Sequence, residues 1–338
     1  MSRTEQQSVT EIAGCESGRI SEEVLQSDQP LLLRNLVANW PLVEAAKQSA
    51  DAADAYLRRF YNGTPVSVSS GAPDTQGRIF YNDDLSGFNF EMKRAQLNEF
   101  LNELKQHRND EKPPVHYVGS TTVDYILPGL RDENDLVLEG LDPLVSIWLG
   151  NQTCIAAHYD VPDNIACVVA GKRRFTLFPP EQLENLYVGP LDYAPAGQAI
   201  SMVDLREPDF ERHPKFRIAL QHAQVADMQT GDALFIPSMW WHHVQGLESF
   251  NVLINYWWRN APSWMGNPMD VLNHAMLSIR DLPDAQRAAW KNIFAHYIFE
   301  ADDELVTHIP DGKQGVLAPL DETAARRLRA RLLKQLNR

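Results

Sequence analysis

Long apolar runs, paired cysteines and positive charge are scarce in this sequence. No stretch approaches the ~18 consecutive apolar residues of a membrane span, and the densest short one, Ile165 to Gly171, has the length of a buried strand. Met1 to Thr10 is polar and carries no apolar leader core, so the expected location is cytoplasmic. Cys15, Cys154 and Cys167 are too few and too scattered for a disulfide framework, and no C-x-x-C pair points to zinc or dithiol chemistry. Lys and Arg number 31 against 45 Asp and Glu, and the formal net charge of −14 repels a phosphate backbone, so no nucleic-acid partner is expected. Repeats and low-complexity tracts are missing too. With 44% hydrophobic and 22% charged residues over 338 positions, the chain reads as a folded globular protein with one or two domains.

Three textures follow one another along the chain. Leu31-Leu32-Leu33 reads as a strand, Trp40-Pro41 opens a helix expected to run to about Phe60, and Val66 to Ser70 reads as a strand. Leu97, Phe100, Leu101 and Leu104 fall at i, i+3, i+4 and i+7, the stripe of a helix that Lys112-Pro113-Pro114 stops. From Val115 the pattern becomes short β-type runs: Val115–Val118, Leu144–Leu149, Thr153–Tyr159, Ile165–Ala170, Arg174–Phe178, Phe216–Val225, Ala233–Pro237 and Trp240–Trp258. After Pro262 helical periodicity returns over Met269–Ile279, Ala285–Ile298 and Glu322–Leu336. The expectation is an α+β, mainly β protein: a barrel or sandwich over about 115–260 within a domain of residues 1–262, then a helical region of residues 263–338. That final block is the candidate homodimer surface, the alternative being packing on its own barrel.

Chemistry concentrates in two segments. In His158-Tyr159-Asp160 an imidazole and a carboxylate at i and i+2 share one face of a strand. Gly231 to Val244 then supplies a Gly-Asp turn, a strand and the pair His242-His243 amid aromatics. Two histidines and one carboxylate leave half of an octahedral metal open, the ligand set of non-haem Fe(II) oxygenases. A lone H-x-D is otherwise more often core packing.

With Asn164, the segment Gly171-Lys172-Arg173-Arg174-Phe175-Thr176-Leu177-Phe178-Pro179-Pro180 and Asn255-Tyr256-Trp257, these motifs resemble the JmjC and cupin-like family of Fe(II)- and 2-oxoglutarate-dependent oxygenases. The nearest pattern is the subgroup containing the asparaginyl hydroxylase that inhibits hypoxia-inducible factor. The resemblance implies a double-stranded β-helix (jelly-roll, cupin-like) core with flanking N- and C-terminal helices. It also implies Fe(II), with 2-oxoglutarate and O2 as cosubstrates. It places the metal on His158, Asp160 and His242, with His243 the rival for the third position and otherwise an outward polar residue near the rim. Arg173 stands where similar proteins carry a lysine for the distal carboxylate, while Lys172 and Arg174 point away to solvent. Tyr117 matches a tyrosine meeting the same carboxylate. Ile155 stands where the family has Thr or Ser, and Thr153 is the candidate to compensate. Asn164, Asn255 and Trp257 match positions around the metal and oxo-acid, and Tyr81 and Asn82 match a stretch that contacts substrate. The implied activity is hydroxylation of a C–H bond in a protein side chain or small molecule. The alternatives are a non-catalytic cupin-like metal or ligand-binding protein and a metal-dependent cupin isomerase or dioxygenase. The latter type usually shows an H-x-H that this chain lacks.

Overall fold

The computed structural model describes residues 7–12, 18–195 and 197–337, so Cys15 lies outside the described residues. Among these, fifteen strands are assigned: β1 (Gln7–Ser8), β2 (Thr10–Ile12), β3 (Leu31–Leu33), β4 (Val66–Gly71), β5 (Arg78–Ile79), β6 (Phe90–Ala95), β7 (Val115–Thr122), β8 (Leu144–Gly150), β9 (Cys154–Tyr159), β10 (Asp163–Ala170), β11 (Lys172–Phe178), β12 (Gln224–Gln229), β13 (Ala233–Ile236), β14 (Trp241–Gly246) and β15 (Asn251–Trp258). They form a six-stranded sheet ordered β1-β12-β11-β14-β9-β5 and a nine-stranded sheet ordered β2-β3-β13-β10-β15-β8-β7-β4-β6. The order is that of a double-stranded β-helix, in which successive strands from β8 to β15 alternate between sheets except at β11 and β12, which pair with each other in the six-stranded sheet.

Both faces of each sheet are covered, which is why the central strands read as near-continuous apolar runs. Along β10, Ala166 and Val168 face the space between the sheets, where they meet Phe175 and Leu177 of β11 and Leu253 of β15. Ile165, Cys167 and Val169 point the other way, into a core shared with the helices Pro41–Gln48, Ala50–Phe60 and Leu97–Gln106. The last helix buries Leu97, Phe100, Leu101 and Leu104, the stripe its spacing announces. Behind the six-stranded sheet, Ala157, Phe178 and Trp241 pack on Phe216 and Ala219.

Three expectations need correction. The helix from Pro41 is two helices, because Ser49 is extended and its hydroxyl accepts from Ala52 N at 3.0 Å, capping the second. The run Phe216–Val225 is a helix over Phe216–Gln221 followed by β12; Phe216, Ala219, Leu220 and Ala223 also fit a helical period, and packing behind the sheet selects it. Trp240–Trp258 is two strands, β14 and β15, joined by a turn.

The chain divides by its contacts into a unit ending at Asn260 and a second from Ala261 onward. The second comprises the helices Pro268–Ser278, Asp284–Phe294 and Glu322–Leu336 with short helical turns between them. Among the described residues no helix is long and apolar enough to cross a membrane.

Gly171 turns the chain from β10 into β11 at φ +77°, and a Cβ there would collide with Asn251 Oδ1 and the Phe250 carbonyl oxygen. Gly171→Ala is expected to destabilise the first unit by about 3 kcal/mol, from left-handed strain plus the clash, as read by urea unfolding.

Candidate metal centre and its cavity

The pairing of β9 with β14 sets His158 directly opposite His242. A register shift follows between His242 and Val244, so β9 carries one extra residue beside the pair. The two imidazole centroids are 4.3 Å apart. Asp160 follows the end of β9, with Oδ2 3.7 Å from His242 Nε2. Ligand atoms of His158, Asp160 and His242 all lie within 4.8 Å of one another, close enough to share one cation.

The ring nitrogens are sorted by the backbone. His158 Nδ1 donates to Ala156 O at 2.9 Å and His242 Nδ1 to Trp240 O at 3.1 Å. A carbonyl only accepts, so Nδ1 holds the proton and each Nε2 keeps a free lone pair for a metal. Burial, reinforced by the adjacent His158, holds His242 below the ordinary imidazole range and therefore neutral at pH 7.

Asp160 lies outside the ladder and is held by a turn. Met239 N donates to Asp160 O at 2.9 Å, and the Ser238 hydroxyl donates to Val161 O at 2.5 Å. Ser238 N and Asn260 Nδ2 donate to opposite oxygens of Asp163, at 2.8 and 2.7 Å. Met239 adopts φ +68°, a left-handed conformation in a side-chain-bearing residue. Sequence reasoning missed this latch, and Pro237-Ser238 after a strand was the turn signal that marked it.

His243 points to the other face of the sheet. It is buried rather than at the rim, with Nε2 3.3 Å from Cys154 Sγ, and burial pushes it down to about 3. The six-stranded sheet is covered there, and adjacent strand residues alternate.

A cavity of about 720 Å³ opens onto the centre, and His158, Asp160, His242, Arg173, Tyr117 and Ile155 are among its walls. Arg173 is 3% exposed, has no carboxylate within ion-pair distance among the described residues, and its Nε has no hydrogen-bond partner. Desolvation lowers its guanidinium to about 10, still charged at neutral pH. Its neighbours diverge as strand alternation requires: Lys172 pairs with Glu248 at 2.8 Å and Arg174 with Asp227 at 2.6 Å, both exposed. Tyr117, buried in the same wall, has its hydroxyl raised above the usual phenol range by burial.

The polar wall is a relay of amides. Trp148 Nε1 donates to Asn255 Oδ1 at 2.7 Å, and Asn255 Nδ2 donates to Asn164 Oδ1 at 3.2 Å. Trp257 stands edge-on to Trp148 with centroids 5.6 Å apart, and its buried Nε1 has no acceptor. Thr153, by contrast, is buried beside Gly150 and is not in the cavity wall, whereas Ile155 is. Tyr81 donates to Tyr193 O at 2.5 Å and packs on Phe80 and Phe88, while Asn82 is occupied by the turn at Ser86 and Gly87; neither lines the cavity. The cavity is lined instead by the exposed Met92, Arg94 and Tyr125, together with Pro195 and Gln198, residues with no motif to announce them.

The sequence profile of the cupin-like domain family, the JmjC-type group, matches residues 17–263. The chain belongs to that family. Among characterised relatives it is similar to lysine-specific demethylase JMJ31 of Arabidopsis thaliana, 30% identical over 164 residues, 48% of this chain and 28% of that protein. It is also similar to tRNA wybutosine-synthesizing protein 5 of Mus musculus, 30% identical over 145 residues, 38% of this chain and 43% of that one. HSPB1-associated protein 1 of Homo sapiens is 36% identical over 116 residues, 33% of this chain and 23% of that one. The chain thus spans less than half the length of these relatives.

Calorimetry with Mn(II) or Co(II) separates the roles. His242→Ala and Asp160→Ala are expected to lose more than about 100-fold in affinity, His243→Ala less than about 10-fold, and Ser238→Ala about 10-fold through the loosened turn.

Proposed function

We propose that this protein is an Fe(II)- and 2-oxoglutarate-dependent oxygenase that hydroxylates a C–H bond of a protein side chain or small molecule. The observation that carries the reading is a buried guanidinium without an anion, in the same cavity as two histidines and a carboxylate arranged to share a metal. An uncompensated buried charge is costly, and a dicarboxylate ligand removes the cost. Unused donors on Arg173 and Trp257 fit an acceptor-rich ligand and do not fit a basic one. Soft thiolate ligation is absent from the triad, and two imidazole nitrogens with one carboxylate oxygen suit ferrous iron.

When bound, Fe(II), 2-oxoglutarate and O2 supply oxidising power, the oxo-acid leaving as succinate and CO2 while one oxygen atom enters the substrate C–H bond. The chain's own part is positional. His158, Asp160 and His242 would hold the metal, and the cavity lies on the side they face. Arg173 would receive the distal carboxylate through charge-assisted hydrogen bonds, with the Tyr117 hydroxyl as a further donor. Asn164, Asn255 and Trp257 form the polar wall, which fixes the direction in which the ligand enters. Apolar Ile155, Phe175 and Val244 exclude water from between them. No side chain is asked to move a proton.

The relatives act, by their names, on lysine and on tRNA, so the family serves several substrate kinds. The negative field of this chain disfavours a polynucleotide.

The test is succinate formation from 2-oxoglutarate with Fe(II) and O2, without added substrate. Turnover above that of Asp160→Ala supports the reading; no turnover together with no 2-oxoglutarate binding overturns it. Tyr117→Phe is expected to raise the KM for 2-oxoglutarate about 10-fold, the worth of one hydrogen bond to a charged group. Arg173→Met is expected to abolish 2-oxoglutarate binding and yet stabilise the empty protein by about 1–3 kcal/mol. The sign follows from linkage: the folded state lowers the Arg173 pKa, so holding it charged costs stability at neutral pH. That penalty fades only as pH rises through about 10.

A further inference from the structure

The cavity that holds the candidate centre is charged against the rest of the chain. Acidic residues outnumber basic ones 45 to 31, yet among the described residues the cavity walls carry two arginines, Arg94 and Arg173, and one carboxylate, Asp160 of the triad. Arg173 is assigned above to the oxo-acid, which leaves Arg94 over. Lys93 beside it turns to the opposite side of the sheet and pairs with Glu103 at 3.1 Å. Arg94 itself forms no ion pair among the described residues, and its guanidinium only reaches the Ser67 hydroxyl, 3.5 Å from Nη1. At that distance the bond is weak.

Strand β6 sets where this guanidinium stands. Across β4, Ser67 lies opposite Arg94 and Ser69 opposite Met92, and Ser69 lies in turn opposite Tyr117 of β7. Residues paired in this way share a face, so a row from Tyr117 through Ser69 to Met92 leads from the cavity wall out to β6, with Arg94 next to its end. β6 is the last strand of the nine-stranded sheet, and among the described residues no strand pairs with its outer side. Its six residues span about 20 Å. Met92 at 69% and Tyr125 at 63% are the most exposed large apolar side chains before Ala261, and both line this cavity. An open strand edge flanked by bare apolar side chains is a template for another extended chain.

Openness also selects the kind of ligand. A metabolite is held by burying most of its surface, ~70–90%, which walls as exposed as Met92 and Tyr125 do not do. A polynucleotide needs a track of cations along its phosphates, and this end of the cavity offers a single arginine. We propose, resting on the oxygenase reading, that the substrate is a polypeptide segment bound in extended form along the outer edge of β6. Main-chain hydrogen bonds to β6 supply affinity, as in other added strands. An Asp or Glu of the segment lies across from Arg94, an apolar side chain lies against Met92 and Tyr125, and the residue to be oxidised lies further along, where the segment turns into the cavity.

Selection from a random peptide library tests this, on the full chain loaded with Mn(II) and 2-oxoglutarate in the absence of O2. The expected peptides share an acidic residue at a fixed spacing from an apolar one. Arg94→Glu weakens such a peptide at least about 10-fold, and the same peptide with Lys in place of its acidic residue recovers binding to that variant, which also shows the variant folded. Methylating the peptide's amides one at a time costs affinity at every second residue, because a strand at an edge uses alternate amides. Equal binding of the acidic peptides by Arg94→Glu, no recovery by the exchanged peptide, or a methylation scan without alternation overturns the proposal. A library without binders also overturns it, in favour of a polynucleotide if total tRNA binds in its place and of a metabolite if it does not. Failure of the unaltered chain to bind 2-oxoglutarate overturns the oxygenase reading and this proposal with it, whereas failure of the peptides alone overturns only the latter.

Discussion

Everything at the candidate centre depends on one register: His242 of β14 opposite His158 of β9. A slip of a single residue would exchange His242 for His243 and turn the intended imidazole into the packed layer behind the sheet. The extra residue in β9 lies directly beside the pair, and bulges pin register where they occur. The outer faces of these strands reinforce it, because Ala157 and Trp241 belong to the apolar cluster with Phe178 and Phe216. The ligand geometry is thus a by-product of packing on the side away from the metal.

The space between the sheets shows the opposite tendency. A charged Arg173, a Trp257 N–H without an acceptor, and two histidines with inward lone pairs occupy a cavity that apolar side chains could have filled. Each of these lowers the stability of the empty protein and becomes favourable only when a ligand supplies what is missing. The apolar cores on the far sides, where Leu33, Leu36, Phe100 and Ile254 are fully buried, offset that cost. Stability and recognition are in this way assigned to different faces of the same strands.

The strands were legible as short apolar runs bounded by turn residues, and the H-x-D pair was legible because a period of two needs no tertiary information. His158, Asp160 and His242 could be placed together from family resemblance, as could Arg173, Tyr117, Asn164, Asn255 and Trp257 around one cavity. What sequence could not supply was context. Thr153 and Ile155 differ by two positions, yet only Ile155 reaches the cavity, because β9 begins at Cys154 and Thr153 belongs to the preceding turn. Tyr81 and Asn82 sit in a promising stretch whose hydrogen bonds are already taken, by the Tyr193 carbonyl and by the turn at Ser86 and Gly87. Phe216–Gln221 obeys two periodicities, and only the apolar layer behind the sheet decides between them. The cavity residues Met92, Arg94 and Tyr125 come from two elements, β6 and the short helix Val123–Ile126, and share no pattern to read.

The turn at Ser238 and Met239 has a bearing on how a cation would come and go. Two of the three ligands are fixed in a hydrogen-bonded ladder, whereas Asp160 is tied down by a few bonds to a turn whose Met239 backbone is itself unfavourable. Opening that turn would move the only carboxylate of the triad while both imidazoles stayed in the ladder. Exchange of a bound cation would thus be coupled to residues 160–163 and 238–239 and would not require the barrel to open.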